Sequence, residues 1–248
     1  MTGVYRNPPV IEAVCEFRFQ PDSAWDLAMP GLIYEKVRRS FPVRQQPVQL
    51  SIAIGGPSSE PPPIFEPMPV MRFLRKDEKA LIQVGPQLLS VNQLKPYRNW
   101  STFRKMIENA LAVYREVAQP KSVQRIGLRY INRIELGSPA VRLEDYFEFR
   151  PFLGDGLPQH YTEFYVAVQT PNEDQRDRLK MQLTNTANLP PGGPAFALDL
   201  EYFLANPGTV DLEGAMAWVE LAHRYVEEAF EASTTPQLRE EFGRSQAR

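Results

Sequence analysis

Val123–Ile134, VQRIGLRYINRI, alternates as a β-strand does. Ile126, Leu128, Tyr130 and Ile134 fall on one face, and Arg125, Arg129 and Arg133 on the other, with Gly127 and Ile131 between them. Strand side chains repeat every two residues, so a slip of one residue would bury three guanidinium groups. The register is therefore strongly specified. The stretch lies near the midpoint of a 248-residue chain. Three arginines on the open face of a central strand are more than solubility requires.

Working outward, the same order of elements stands on both sides of this strand. Before it, Val10–Phe19 alternates, with Ile11, Ala13, Cys15, Phe17 and Phe19 on one face and Glu12, Val14, Glu16 and Arg18 on the other. Asp22 or Ser23 can cap a helix from Ala24 to about Phe41, which Pro30-Gly31 should kink or split. Strands are expected at Val48–Ile54, Val70–Leu74 and Ala80–Asn92, the first two separated by a proline-dense loop, Gly55–Pro69. Asn99 then caps an amphipathic helix carrying Phe103, Ile107, Leu111 and Tyr114 at helical spacing. After the central strand come a helical turn at Leu143–Phe149 and strands at Tyr161–Val168, Arg178–Thr184 and Phe196–Leu204. A long helix follows from Leu212, capped by Asp211, and a short one is opened by Thr235-Pro236.

Each half thus reads strand, helix, three strands, helix. Phe17-Arg18-Phe19 and Leu128-Arg129-Tyr130 repeat one inward–outward–inward pattern. The expected fold is α+β: a duplicated β-α-β-β-β-α unit, residues 1–119 and 120–248, forming one long curved antiparallel sheet with helices on one face. Two unrelated α+β halves are the alternative. The TATA-binding-protein saddle has this type of order, an analogy of fold that says nothing about activity.

Composition bounds the function. A net charge of −2 excludes the globally basic profile of a simple nucleic-acid binder, although a local basic patch is compatible with it. One cysteine, Cys15, allows no intrachain disulfide and fits a reducing compartment. Its apolar neighbours favour inert packing over reactivity. The N-terminus lacks the basic and apolar regions of a signal peptide, and no apolar run is long enough to span a membrane. A cytoplasmic location is expected.

Catalytic signals are sparse. There is no phosphate-binding loop, no Gly-x-Gly-x-x-Gly after a strand and no nucleophile elbow. The two histidines, His160 and His223, stand apart without clustered cysteines, so no zinc site is read. His223, between Val219 and Val226, reads as a boundary histidine bonded to a backbone carbonyl rather than a base. Asp199 and Glu201 share a strand face and could hold a divalent metal as in a nuclease, but Arg178 and Lys180 offer themselves as salt-bridge partners. No cofactor, metal or catalytic residue is assigned. The three tryptophans, Trp25, Trp100 and Trp218, fall on helices or helix starts and read as core.

The run Asn7-Pro8-Pro9-Val10-Ile11-Glu12-Ala13-Val14-Cys15-Glu16-Phe17-Arg18-Phe19 resembles the opening signature of an uncharacterised prokaryotic family. Its members are of about this length and sporadically distributed across bacteria and archaea. Gly127–Ile134, Leu198-Asp199-Leu200, Leu221-Ala222-His223 and Phe230-Glu231 to Phe242 are similar to it as well, so the resemblance spans the chain. It implies no activity or cofactor. The scattered distribution implies mobile or defence-linked gene neighbourhoods.

The residues themselves point to binding. If the first strands of the two halves meet, Glu12 and Glu16 lie across from the row Arg125, Arg129, Arg133, and cross-strand ion pairs contribute roughly 0.2–1 kcal/mol each. One reading is an internal Glu–Arg ladder. The other is that surplus arginine captures an anionic ligand or a partner's carboxylates, with Arg18, Arg178 and Lys180 joining the site. The favoured function is a non-catalytic binding protein that holds a protein partner or small anionic ligand on the open sheet face. A nucleic-acid-binding module, or a metal nuclease using the same face, is the alternative. The face should mix Glu12, Glu16, Asp199 and Glu201 with its basic groups, which disfavours a steeply salt-dependent nucleic-acid groove.

Overall fold

The computed structural model describes residues 5–21, 25–46, 70–137, 141–158, 162–172, 175–185 and 193–243. Among them the elements are β1 (Val10–Phe19), α1 (Met29–Val37), β2 (Val43–Gln45), β3 (Met71–Leu74), β4 (Ala80–Gly85), β5 (Leu88–Leu94) and α2 (Trp100–Ala118). Then follow β6 (Val123–Glu135), a 3-10 turn (Leu143–Asp145), β7 (Tyr165–Pro171), β8 (Asp177–Asn185), β9 (Ala195–Leu204), α3 (Ala215–Ser233) and α4 (Pro236–Glu241). The fold is α+β. The described strands form one open nine-stranded sheet in the order β2-β3-β4-β5-β1-β6-β9-β8-β7. Every neighbouring pair is antiparallel.

The alternation read from the sequence decides which face is buried. Ala13, Cys15, Phe17 and Phe19 of β1, Ile126, Leu128 and Tyr130 of β6, and Leu198, Leu200 and Tyr202 of β9 are all buried. Phe103, Ile107, Leu111 and Tyr114 of α2 and Val219, Val226 and Phe230 of α3 join them in one core. Each fully buried large apolar side chain contributes about 1.5–3 kcal/mol. Burial pushes the Cys15 thiol up, as expected of an inert core cysteine. Asn132 also points inward, donating from Nδ2 to the Leu198 carbonyl at 3.0 Å.

Several boundaries differ from the sequence reading. The helix expected from Ala24 with a kink at Pro30-Gly31 instead starts at Met29, with Pro30 in its first turn, where its missing N–H costs nothing. Asp26 Oδ1 accepts from the N–H groups of Ala28 (2.7 Å) and Met29 (3.1 Å). The single strand expected over Ala80–Asn92 is the hairpin β4–β5. Pro86 cannot donate to a central ladder, and Gln87 turns the chain at φ +58°. The strand expected at Tyr161–Val168 runs from Tyr165 to Pro171, and the long helix starts at Ala215, because Asp211 Oδ1 holds the Gly214 N–H (2.6 Å) in a preceding turn. Asn99 and Thr235 cap α2 and α4 as expected. The short strand β2 was not anticipated. Asp22, Ser23, His160, the strand Val48–Ile54 and the loop Gly55–Pro69 lie outside the described residues.

Two buried polar knots tie helices to the sheet. Asp177, at the start of β8, is fully buried and accepts from Trp218 Nε1 on α3 (2.9 Å), Tyr202 OH on β9 (3.2 Å) and Arg176 Nη2 (2.7 Å). Removing one partner of such a pair costs about 3–5 kcal/mol in general, because the other charge stays buried. The second knot centres on His223. Its ring stacks on Trp100 of α2 at 4.0 Å, and its Nδ1 lies 3.5 Å from the Tyr130 hydroxyl, which meets Tyr97 OH at 3.0 Å. The expected backbone carbonyl partner is thus replaced by a tyrosine. Its Nε2 is 3.7 Å from Glu227 Oε2.

Burial lowers the His223 pKa to about 3. In the unfolded chain the imidazole binds a proton below about 6.5, whereas in the fold it stays neutral until far lower pH. Stability is then full above pH 6.5 and falls as pH drops, with a slope of up to about 1.4 kcal/mol per pH unit from this group. Urea unfolding between pH 7 and pH 5.5, a window above the ordinary carboxylate range, is expected to show that slope in the wild type. His223→Phe is expected to lose most of it.

Candidate functional site

The open face of the sheet is built by the outward residues of its central strands. On β1 these are Glu12, Val14, Glu16 and Arg18; on β6, Arg125, Gly127, Arg129, Ile131 and Arg133. On β9 they are Asp199, Glu201 and Phe203, and on β8, Arg178, Lys180 and Gln182. The antiparallel register sets who meets whom. Glu12 stands across from Ile131, Glu16 from Gly127 and Val14 from Arg129, so the carboxylates of β1 do not face the arginine row directly. β9 supplies acids from the other side, with Glu201 across from Arg129 and Asp199 across from Ile131.

The side chains resolve into pairs. Arg129 makes a bidentate contact with Asp199, its Nε 2.8 Å from Oδ1 and its Nη2 on Oδ2. That hydrogen bond raises the pKa of the guanidinium. Arg133 bonds Glu135 on its own strand (2.7 Å). Glu12 accepts from Asn92 Nδ2 of β5 (2.8 Å). Asp199 and Glu201, weighed above as metal ligands or partners of Arg178 and Lys180, are instead held by Arg129 and Arg125. Among the described residues no group of three or more metal-binding side chains converges.

Arg125 behaves differently from its two neighbours in the row. Its Nη2 lies 2.5 Å from Glu201 Oε1, its Nη1 3.7 Å from Glu16 Oε1, and its guanidinium carbon 4.6 Å from the Phe203 ring centroid. The side chain lies over Gly127. A Cβ at that position would come within 3.0 Å of Arg125 Nη1 and 3.1 Å of Glu201 Oε1, so the glycine is the gap in which this pair sits. Directly across the ladder from Arg125 stands Arg18, which bonds Glu16 through Nε at 2.8 Å. Like charges directly opposite are destabilising unless compensated. Here the compensation is shared: Glu16 serves both arginines.

A third arginine completes the cluster. Arg178 on β8, across from Phe203, donates from Nη1 to the backbone carbonyls of Gln175 (3.0 Å) and Asp177 (3.3 Å), and pairs with no carboxylate among the described residues. Arg18, Arg125 and Arg178 line one cavity of about 330 Å³ with Gln124, Gln169, Phe203, Leu204, Ala205 and Pro207. Of the residues expected to bind, then, three converge here, and Glu16 touches two of them. Arg129, Arg133 and Glu12 are occupied elsewhere on the face. Lys180, facing Glu201 across the ladder, makes no ion pair among the described residues. Sequence reading missed Phe203 and Gln169. The outward position of Phe203, in step with Asp199 and Glu201, was the available signal. No family model matches the chain, and no curated protein matches it.

The geometry reassigns the partner of Arg129. A double-mutant cycle of Arg129→Met and Asp199→Asn on unfolding free energy is expected to give a coupling of about 0.2–1 kcal/mol, kept small because the guanidinium is half exposed and screened. The cycle of Arg129→Met with Glu16→Gln is expected to be additive to within about 0.5 kcal/mol.

Proposed function

We propose that this protein is a non-catalytic binding protein whose open sheet face captures a small organic anion in the cavity between Arg18, Arg125 and Arg178. The observation that supports the reading is the convergence of three guanidinium groups from three strands, two of them directly opposed. Glu16 and Glu201 are the only carboxylates touching them among the described residues. Such a cluster leaves a net positive charge that an anion would satisfy, and guanidinium forks match carboxylate and phosphate oxygens two at a time. Phe203, Leu204, Ala205 and Pro207 give the same cavity an apolar wall. The preferred ligand therefore carries a charged end and an apolar body. At about 330 Å³ the cavity is at the small end of ligand sites, which suits a compact molecule. Elsewhere on the face acids alternate with bases, which disfavours a continuous phosphate track and hence nucleic acid.

Two broader readings belong with this proposal. We infer that the chain is a duplication of one unit and bends as a saddle. What supports this is the strand order, in which β1 and β6 are adjacent and each is flanked by the strand preceding its own half's long helix. The halves do not match element for element as expected. Among the described residues the first half has four strands between α1 and α2 against three before α3, so β2 has no counterpart, and α1 has only a 3-10 turn as its counterpart. We also keep the kinship with the sporadically distributed prokaryotic family as a proposal resting on residues 7–19, residues 127–134 and the C-terminal stretches quoted with them. Within it a cytoplasmic, defence-linked role is the expectation. Among the described residues no helix is long and apolar enough to cross a membrane.

Titration calorimetry with phenyl phosphate and with inorganic phosphate tests the binding site. Phenyl phosphate is expected to bind more tightly than phosphate alone. Arg178→Met is expected to weaken it by about tenfold to a hundredfold, the loss of one charge-assisted contact of about 1.5–3 kcal/mol, with the melting temperature unchanged. Binding unaffected by Arg178→Met, or equal affinity for the two probes, would overturn the reading.

A further inference from the structure

β7 closes one side of the sheet, and its outer edge pairs with no other described strand. Edge strands carry unpaired N–H and C=O groups that invite pairing with another chain, and proteins ordinarily blunt them with charge, brevity or proline. The opposite edge follows that rule, since β2 has only three residues and includes Arg44. β7 does not. Its seven residues, YVAVQTP, carry no charge, and proline comes only at the last position.

The side chains beside this edge are also poorly covered. Tyr165 is 62% exposed and Val168 41%. Val168 pairs across the ladder with Met181, on the inward face that also carries Leu179, and both of these are only partly buried. α3 packs over β6 and β9, so the apolar face thins toward β7.

We propose that β7 is a dimerisation edge. It pairs antiparallel with β7 of a second copy about a twofold axis near Val168, and the two sheets become one. An isologous contact sets a strand against itself, so a charge on the axis would meet its own copy, and one beside it would lie diagonally from its own copy. A strand without charges meets that condition, and it offers nothing by which a charged peptide would be selected. The twofold axis also sets Val168 against its copy, which extends the inward apolar strip across the junction.

Sedimentation of the full chain over a rising concentration series is expected to show a dimer, with amides of β7 gaining protection from hydrogen exchange. Val168→Lys and Val168→Glu are each expected to be monomeric and, mixed in equal amounts, to form a heterodimer. If either variant fails to fold, the double variants Ala167→Lys/Gln169→Lys and Ala167→Glu/Gln169→Glu serve in its place, because exposed Ala167 faces exposed Gln169 of the second copy about this axis. A wild type that stays monomeric throughout would overturn the proposal. So would a dimer that persists in both charge variants, or variants that do not rescue each other.

Discussion

The antiparallel pairing of β1 with β6 is the contact on which the rest of the sheet depends. Because side chains alternate, that one register sends Phe17, Phe19, Leu128 and Tyr130 into the core and sets Glu16, Arg18, Arg125 and Arg129 on the opposite face. A shift by one residue would exchange the two sets, burying guanidinium groups at a cost far above what any surface pair returns. β5 and β9 inherit the choice by pairing on either side, and α2 and α3 then have one apolar surface on which to pack.

The same register distributes charge unevenly along the open face. Toward the middle of β6, Arg129 finds Asp199 and is neutralised. Toward the end where β6 begins, Arg18 and Arg125 stand directly opposite each other, and Arg178 arrives from β8 with its guanidinium on backbone carbonyls. Gly127 allows Arg125 to lie flat between Glu16, Glu201 and Phe203. The arginine row is thus an ion-pair ladder over most of its length, and the cluster proposed to bind an anion stands at one end of it. Ladder and cluster differ only in how many carboxylates the neighbouring strands bring.

Much of this was legible in the sequence, for physical reasons. Residues 13–19 of β1 and 126–134 of β6 alternate and bury one face, so their orientation follows from pattern alone. Ile11, expected inward, is only partly buried, because the register shifts between Val10 and Glu12 and Val10 is buried in its place. Asn99 and Thr235 announce helix starts because their side chains satisfy otherwise unpaired N–H groups. What the pattern could not give was pairing across strands. Nothing local says that Arg129 reaches Asp199, seventy residues later, rather than Glu16. Nor does it say that Arg18 and Arg178 join Arg125, or that Asp177 is the buried anchor of Trp218. The hairpin at Gly85-Pro86-Gln87 was hidden for the opposite reason, since the apolar alternation of Ala80–Gly85 and Leu88–Leu94 reads through a turn of only two residues.

The central claim, that one end of the arginine row is open to an anion while the rest is internally neutralised, has a direct spectroscopic test. Arginine Nε–Hε resonances of the full protein can be followed by NMR as phenyl phosphate is added. The account predicts that the signals of Arg18, Arg125 and Arg178 shift together along one binding curve, while those of Arg129 and Arg133 stay in place. Uniform small shifts across all five, or a response led by Arg129, would contradict it.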